Sequence, residues 1–285
     1  MEMENDIQDL SREERREQIR QKKRRKIKRI ALIAAAVVFV VILAVLIAGA
    51  VKRHKDASFS QIGPFPPSDS EELIAVKQVY DYSKPVPEAD ESSVLYFESA
   101  LFIGDVRVEG MTTYIPDLGG TLIYGQSMTT QTAATDTFRT STGTESTVIA
   151  ASIGKDPIYI MLGLNETGWS YPELYETYLD ELVKSIKAAC PESSVYICSI
   201  IPLTESVAAS RSYLTLDLIR NMNNMAQKVA ASQRVYYLDV AEKLAPKGWL
   251  ESEFAEANGL SLSANGYQAL REYLVTHTVD KELYS

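Results

Sequence analysis

From Ser93 onward, short apolar runs alternate with stretches in which apolar residues recur every three or four positions, the pattern of β-strands alternating with amphipathic helices. The runs predict strands at residues 100–103, 121–124, 157–162, 195–201 and 235–240. The longer spacing predicts helices over 145–152, 171–189, 214–231 and 264–276. In the second of these, Leu174, Tyr178, Leu182 and Ile186 form one stripe, which reads as core packing. Strands and helices in this order imply an α/β domain over 95–285, with a parallel sheet covered on both faces. Ligands of such sheets gather at the carboxyl ends of the strands, near the point where strand order reverses. The loops that matter are therefore 104–110, 125–130, 163–169 and 259–263.

Upstream the pattern is different. Residues 30–51 are 22 positions without a charge, and a helix of that length spans about 33 Å, enough to cross a bilayer. A cleaved secretory signal is the competing reading, with Ala48-Gly49-Ala50 as its small-residue site, but signal cores run only about 7 to 15 residues. The length favours a retained transmembrane helix. Lys22, Lys23, Arg24, Arg25, Lys26, Lys28 and Arg29 precede it and only Lys52, Arg53 and Lys55 follow, so residues 1–29 form a basic tail that stays in the cytoplasm. Ser11 and Glu14 have the spacing of a capping box, consistent with a basic helix over 12–29. The expected placement is a single pass through the plasma membrane with the larger domain outside. Residues 52–94, with Pro64, Pro66, Pro67, Pro85, Pro87, several serines and acids, have the composition of a stalk.

Charge divides the same way. Residues 1–55 hold 14 Lys and Arg against 7 Asp and Glu, which leaves 15 basic and 31 acidic residues beyond them. An exterior domain at a net −16 does not attract nucleic acid, and a basic run beside a membrane span needs only anionic lipid as its partner. Cys190 and Cys198 both lie in the exported part, where a disulfide is chemically possible; two buried free thiols are the favoured alternative. The chain has only two histidines, His54 beside the span and His277 at the end of the last helix. They are too far apart for a metal site, the cysteines lack zinc spacing, and no phosphate loop or dinucleotide fingerprint appears, so no cofactor is expected.

Four short blocks carry the chemistry. Leu101-Phe102-Ile103 breaks into Gly104-Asp105-Val106; Gly125 follows the second strand; Gly163-Leu164-Asn165-Glu166 follows the third; and Asn258-Gly259-Leu260-Ser261 precedes the last helix. In this order the blocks resemble those of the SGNH/GDSL hydrolase (esterase, acylhydrolase) family, whose first block is Gly-Asp-Ser, third Gly-x-Asn-Asp/Glu and last Asp-x-x-His. The resemblance implies a three-layer flavodoxin-like parallel sheet. It also implies that the family's nucleophile, acid and base positions are filled here by Val106, Asn258 and Ser261. A valine has no proton to lose, a serine no basic nitrogen, and an asparagine no charge to steady an imidazolium. His277 cannot substitute, since 12 helical residues carry it about 18 Å from the last block.

By the same resemblance, the backbone at residue 106, Gly125 and the Asn165 amide correspond to oxyanion donors, which in a silent relative could hold a carbonyl or carboxylate. For Asn165 the alternative is a tie within its own loop. Asp105, Ser127 and Glu166 complete a possible pocket, Asp105 most simply as a turn residue. Family members act on acyl esters, including O-acetyl groups on surface carbohydrates. The expectation is therefore a membrane-anchored pseudo-esterase that binds a surface glycan, an acylated ligand or a protein partner. The alternative is a working carbohydrate O-acetyl esterase with a non-standard nucleophile, such as Ser127 assisted by Glu166.

Overall fold

The computed structural model describes residues 79–283. The basic tail, the 30–51 span and the stalk as far as residue 78 lie outside the described residues. Among the described residues no helix is long and apolar enough to cross a membrane.

One seven-stranded sheet organises the domain: β1 (Leu101–Gly104), β2 (Thr121–Tyr124), β3 (Thr137–Thr140), β4 (Glu145–Thr147), β5 (Ile158–Met161), β6 (Val195–Cys198) and β7 (Tyr236–Leu238), in the order β4-β3-β2-β1-β5-β6-β7. The β2-β1, β1-β5, β5-β6 and β6-β7 pairs are parallel. These five are the strands the apolar runs predict. β3 and β4 form an antiparallel hairpin on the β2 edge. Helices are α1 (Val106–Tyr114), α2 (Thr130–Ala133), α3 (Val148–Ser152), α4 (Leu174–Ala189), α5 (Glu205–Ala208), α6 (Leu216–Gln233), α7 (Val240–Leu244) and α8 (Ala264–Thr276).

Strand alternation sorts two cores. Leu101, Ile103, Ile123, Ile158, Ile160, Val195 and Ile197 meet the buried faces of α4 and α6. On the other face Phe102, Tyr159, Tyr196 and Tyr236 occupy paired register positions in four adjacent strands. Because neighbouring parallel strands lie about 4.8 Å apart, their rings stand in a column at centroid distances of 4.8, 4.8 and 4.9 Å. The Tyr196 hydroxyl accepts the Val279 N–H at 3.0 Å and bonds the Tyr96 hydroxyl at 2.8 Å.

Several expectations need correction. The helix expected over 145–152 begins as strand β4, because Glu145–Thr147 finds β3 as a partner; Thr147 then caps α3 by accepting the Ala150 N–H. The loop expected at 104–110 is mostly helix α1, whose inward residues are Arg107, Val108 and Met111, too mixed to read as an apolar stripe. Gly110 lies within α1, where a Cβ would collide with the Tyr267 hydroxyl, which donates to the Arg107 carbonyl at 2.9 Å. On α4 the buried stripe is Tyr175, Leu179, Leu182, Val183 and Ile186, while Leu174 is exposed and Tyr178 half-buried. The last part of the segment read as stalk packs on the domain: Val86 N–H bonds Tyr237 O, Ala89 N–H bonds Thr276 O, and Tyr80 lies edge-on to Tyr236. Cys190 and Cys198 are both buried free thiols.

Candidate functional site

Strand order reverses at β1, whose neighbours β2 and β5 lead off in opposite directions, so the carboxyl end of β1 is the place for a site. Asp105 ends the strand and caps α1, its Oδ1 accepting the Arg107 N–H at 2.9 Å. Val106 is therefore the first residue of the helix, half-buried, at the switch point. The position holds an aliphatic side chain.

Next to it is a residue that sequence reading missed. Arg107 is buried, and its guanidinium bonds Leu260 O through Nε at 3.1 Å and Nη2 at 2.8 Å, Pro202 O at 2.9 Å, and Ile201 O. One side chain thus clamps the start of α1 to the segment after β6 and to the last block. Burial pushes the guanidinium's proton affinity down, and Asp105 opposes that shift. Burial likewise pushes the Asp105 carboxyl up, opposed by Arg107 and by the Arg107 N–H. The only available hint was an arginine inside an otherwise apolar strand-to-helix run.

The last block is closed on itself. Asn258 Oδ1 accepts the N–H groups of Leu260 at 2.8 Å and Ser261 at 2.9 Å, and its amide donates to Ser261 Oγ at 3.1 Å. The two residues expected as substituted acid and base positions do come together, as an exposed Asx-type turn without an ionisable group. Gly259, at φ 61°, lies against Thr204, whose N–H bonds its carbonyl at 3.0 Å.

Two of the three expected oxyanion donors are engaged within the fold. Gly125 N–H donates to Gly104 O at 3.2 Å, and a Cβ at Gly125 would lie 2.6 Å from the Phe138 ring. The Asn165 amide donates to Met128 O at 2.8 Å and Gln126 O at 3.3 Å, the loop tie weighed above. Glu166 is wholly buried; its Oε1 accepts the Thr130 N–H at 2.7 Å, while its Oε2 and Thr130 Oγ1 are buried without a hydrogen bond. Burial raises its carboxyl above the usual glutamate range. Ser127 is exposed, and among the described residues no hydrogen bond joins it to a base. His277 caps the far end of α8, its Nδ1 2.9 Å from Tyr273 O. The cavity bounded by Asp105, Arg107, Met161, Leu162, Ser199 and Ile201 measures about 20 Å³, room for one water, against the hundreds of Å³ of a small-molecule site. Among the described residues no three His, Cys, Asp or Glu side chains are grouped to hold a metal ion.

The family model described as GDSL-like Lipase/Acylhydrolase family matches residues 120–269, more than half of the chain. The chain belongs to that family. The match begins downstream of Gly104-Asp105-Val106 and does not include that segment. A Streptococcus pneumonia protein provisionally named as a platelet activating factor is similar in fold, with 23% identity over 66% of this chain and 85% of that one and a TM-score of 0.51. A lipase/acylhydrolase from Enterococcus faecalis shows 16% identity over 62% of this chain and 93% of that one, with a TM-score of 0.46. No curated protein matches the sequence. Within the GDSL family, this member has the α/β scaffold, with Val106 at the start of α1 and the Asn258–Ser261 turn before α8.

Proposed function

We propose that this chain is a catalytically silent GDSL-family domain, held outside the plasma membrane by the 30–51 span, that works by contact rather than by ester cleavage. The observation that supports the reading is Val106 at the switch point beside the Arg107 clamp: the side chain there has no nucleophilic atom, and the neighbouring guanidinium is already bound to three carbonyls. With the Gly125 N–H and Asn165 amide already bonded, contact is better supported on the rim of that end than in a cleft. There Tyr171 and Tyr213 are 65% and 52% exposed and Trp169 is half-buried, aromatic surface suited to a surface carbohydrate or a protein partner.

The rival, an esterase with Ser127 as nucleophile, is disfavoured because Glu166 is buried and engaged with Thr130. Hydrolysis of p-nitrophenyl acetate by the purified chain tests both. The reading expects the rate of buffer alone, unchanged by Ser127→Ala. Saturable turnover that copurifies with the chain overturns it, and loss of that turnover in Ser127→Ala or Glu166→Gln would establish the rival.

A further inference from the structure

The dipeptide Asn-Gly occurs twice, as Asn258-Gly259 in the last block and as Asn265-Gly266 in the first turn of α8. The backbone nitrogen that follows an asparagine is a nucleophile within reach of the side-chain Cγ, and glycine, without a Cβ, leaves that nitrogen least obstructed. Both asparagines are exposed, so access to water does not distinguish them. Their backbones do. Asn258 stands in a turn with its carboxamide folded forward over the following residues: Oδ1 accepts the Leu260 N–H at 2.8 Å and the Ser261 N–H at 2.9 Å. Attack at Cγ drives negative charge onto Oδ1, the atom those two donors already meet. The Gly259 N–H gives its bond to the Glu256 carbonyl at 2.8 Å, inside the same turn, so freeing that nitrogen disturbs no helix or strand. At the second site the Gly266 N–H donates to Oγ of Ser263, the cap of α8, at 3.2 Å, and Gly266 is buried against the Phe254 carbonyl. Helical dihedrals turn its nitrogen away from the Asn265 side chain. Bringing the two together there unwinds the start of α8.

We infer that Asn258 is a self-modification site: in the native chain it converts, through a cyclic imide with Gly259, to aspartate and isoaspartate, while Asn265 does not. The bond from the Gly259 nitrogen to Cγ forms, the Cγ–Nδ2 bond breaks, and ammonia leaves with the proton of the Gly259 N–H. Water then opens the ring at either of its carbonyls. One opening gives aspartate; the other routes the main chain through the side-chain carbons as isoaspartate. Isoaspartate lengthens the main chain by one carbon just upstream of Leu260, whose carbonyl takes two of the Arg107 bonds. Conversion therefore slackens the clamp. The chemistry needs only water and the turn, so it stands or falls apart from the reading of the domain as catalytically silent.

The full chain, aged at mildly alkaline pH with one sample native and one in urea, provides the test. Peptides that cover the two sites are mapped by mass spectrometry, with electron-transfer fragmentation to separate isoaspartate from aspartate. In the native sample, conversion at Asn258 is expected to run about tenfold or more ahead of Asn265, because the second site must first give up its cap and helical turn. In urea the two sites are expected to age at similar rates. No conversion at Asn258 in the native chain, or equal conversion at both sites there, overturns the proposal. The isoaspartate fraction, separated by ion exchange, is expected to melt below the unaged chain, and equal melting overturns the link to Arg107.

Discussion

Replacing Arg107 with methionine keeps an unbranched apolar stem in the core and removes the guanidinium. Four hydrogen bonds disappear, and the carbonyls of Ile201, Pro202 and Leu260 are left buried or half-buried without that partner. An unsatisfied buried polar group costs about 1 to 3 kcal/mol, offset in part because the charge no longer has to be desolvated. Removing one member of a buried charged cluster costs about 3 to 5 kcal/mol overall. In a domain of this size each kcal/mol moves the melting temperature by about 2 to 4 °C, so Arg107→Met should melt roughly 6 to 20 °C below the parent chain. Arg107→Lys should fall between, because a single ammonium cannot fork to three segments at once. Thermal unfolding followed by circular dichroism reads the shift. Limited proteolysis adds a local readout, since release of Leu260 should expose residues 256–262 before the rest of the domain. A melting point within about 2 °C of the parent would refute the clamp as a major source of stability. So would a lysine variant indistinguishable from arginine.

Glu166→Gln tests the buried carboxyl. Burial raises the folded-state pKa above the unfolded one, so the wild-type carboxyl contributes most below its ordinary value of about 4.3 and loses that contribution as pH rises through the folded value. The glutamine variant should therefore gain stability relative to wild type with rising pH in urea titrations; a difference that is flat or reversed would contradict the assignment. Gly110→Ala should destabilise by about 1 to 3 kcal/mol through collision with the Tyr267 hydroxyl, despite the better helix propensity of alanine. In a Tyr267→Phe background part of that penalty should vanish from the denaturation midpoint, the ring Cζ still lying 2.5 Å from the added Cβ, and an unchanged penalty would place the strain elsewhere. Burial pushes the Cys198 thiol up, and Cys190 is also buried and donates to Ser152 O. A bulky disulfide reagent should thus find no reactive thiol in the native chain and both in urea without reductant; native labelling, or none in urea, would contradict two buried free thiols.

The sequence by itself determined the five parallel strands of the α/β scaffold and the aliphatic side chain at position 106. Both are local: the apolar runs at β1, β2, β5, β6 and β7 and the stripes of α4, α6 and α8 repeat at the periods of their own elements, and Val106 is inert whatever surrounds it. The β3-β4 hairpin escaped because Thr137–Thr140 and Glu145–Thr147 are polar and are strands only by pairing with an edge. Folding alone decided the rest of the site. Arg107 meets Leu260 across 153 residues, Glu166 meets Thr130 across 36, and Gly125 meets Gly104 through the sheet. A residue's type states which hydrogen bonds it is able to make. Which bonds it does make depends on the distant segments that folding sets beside it, and here those segments had already claimed the Gly125 N–H and the Asn165 amide.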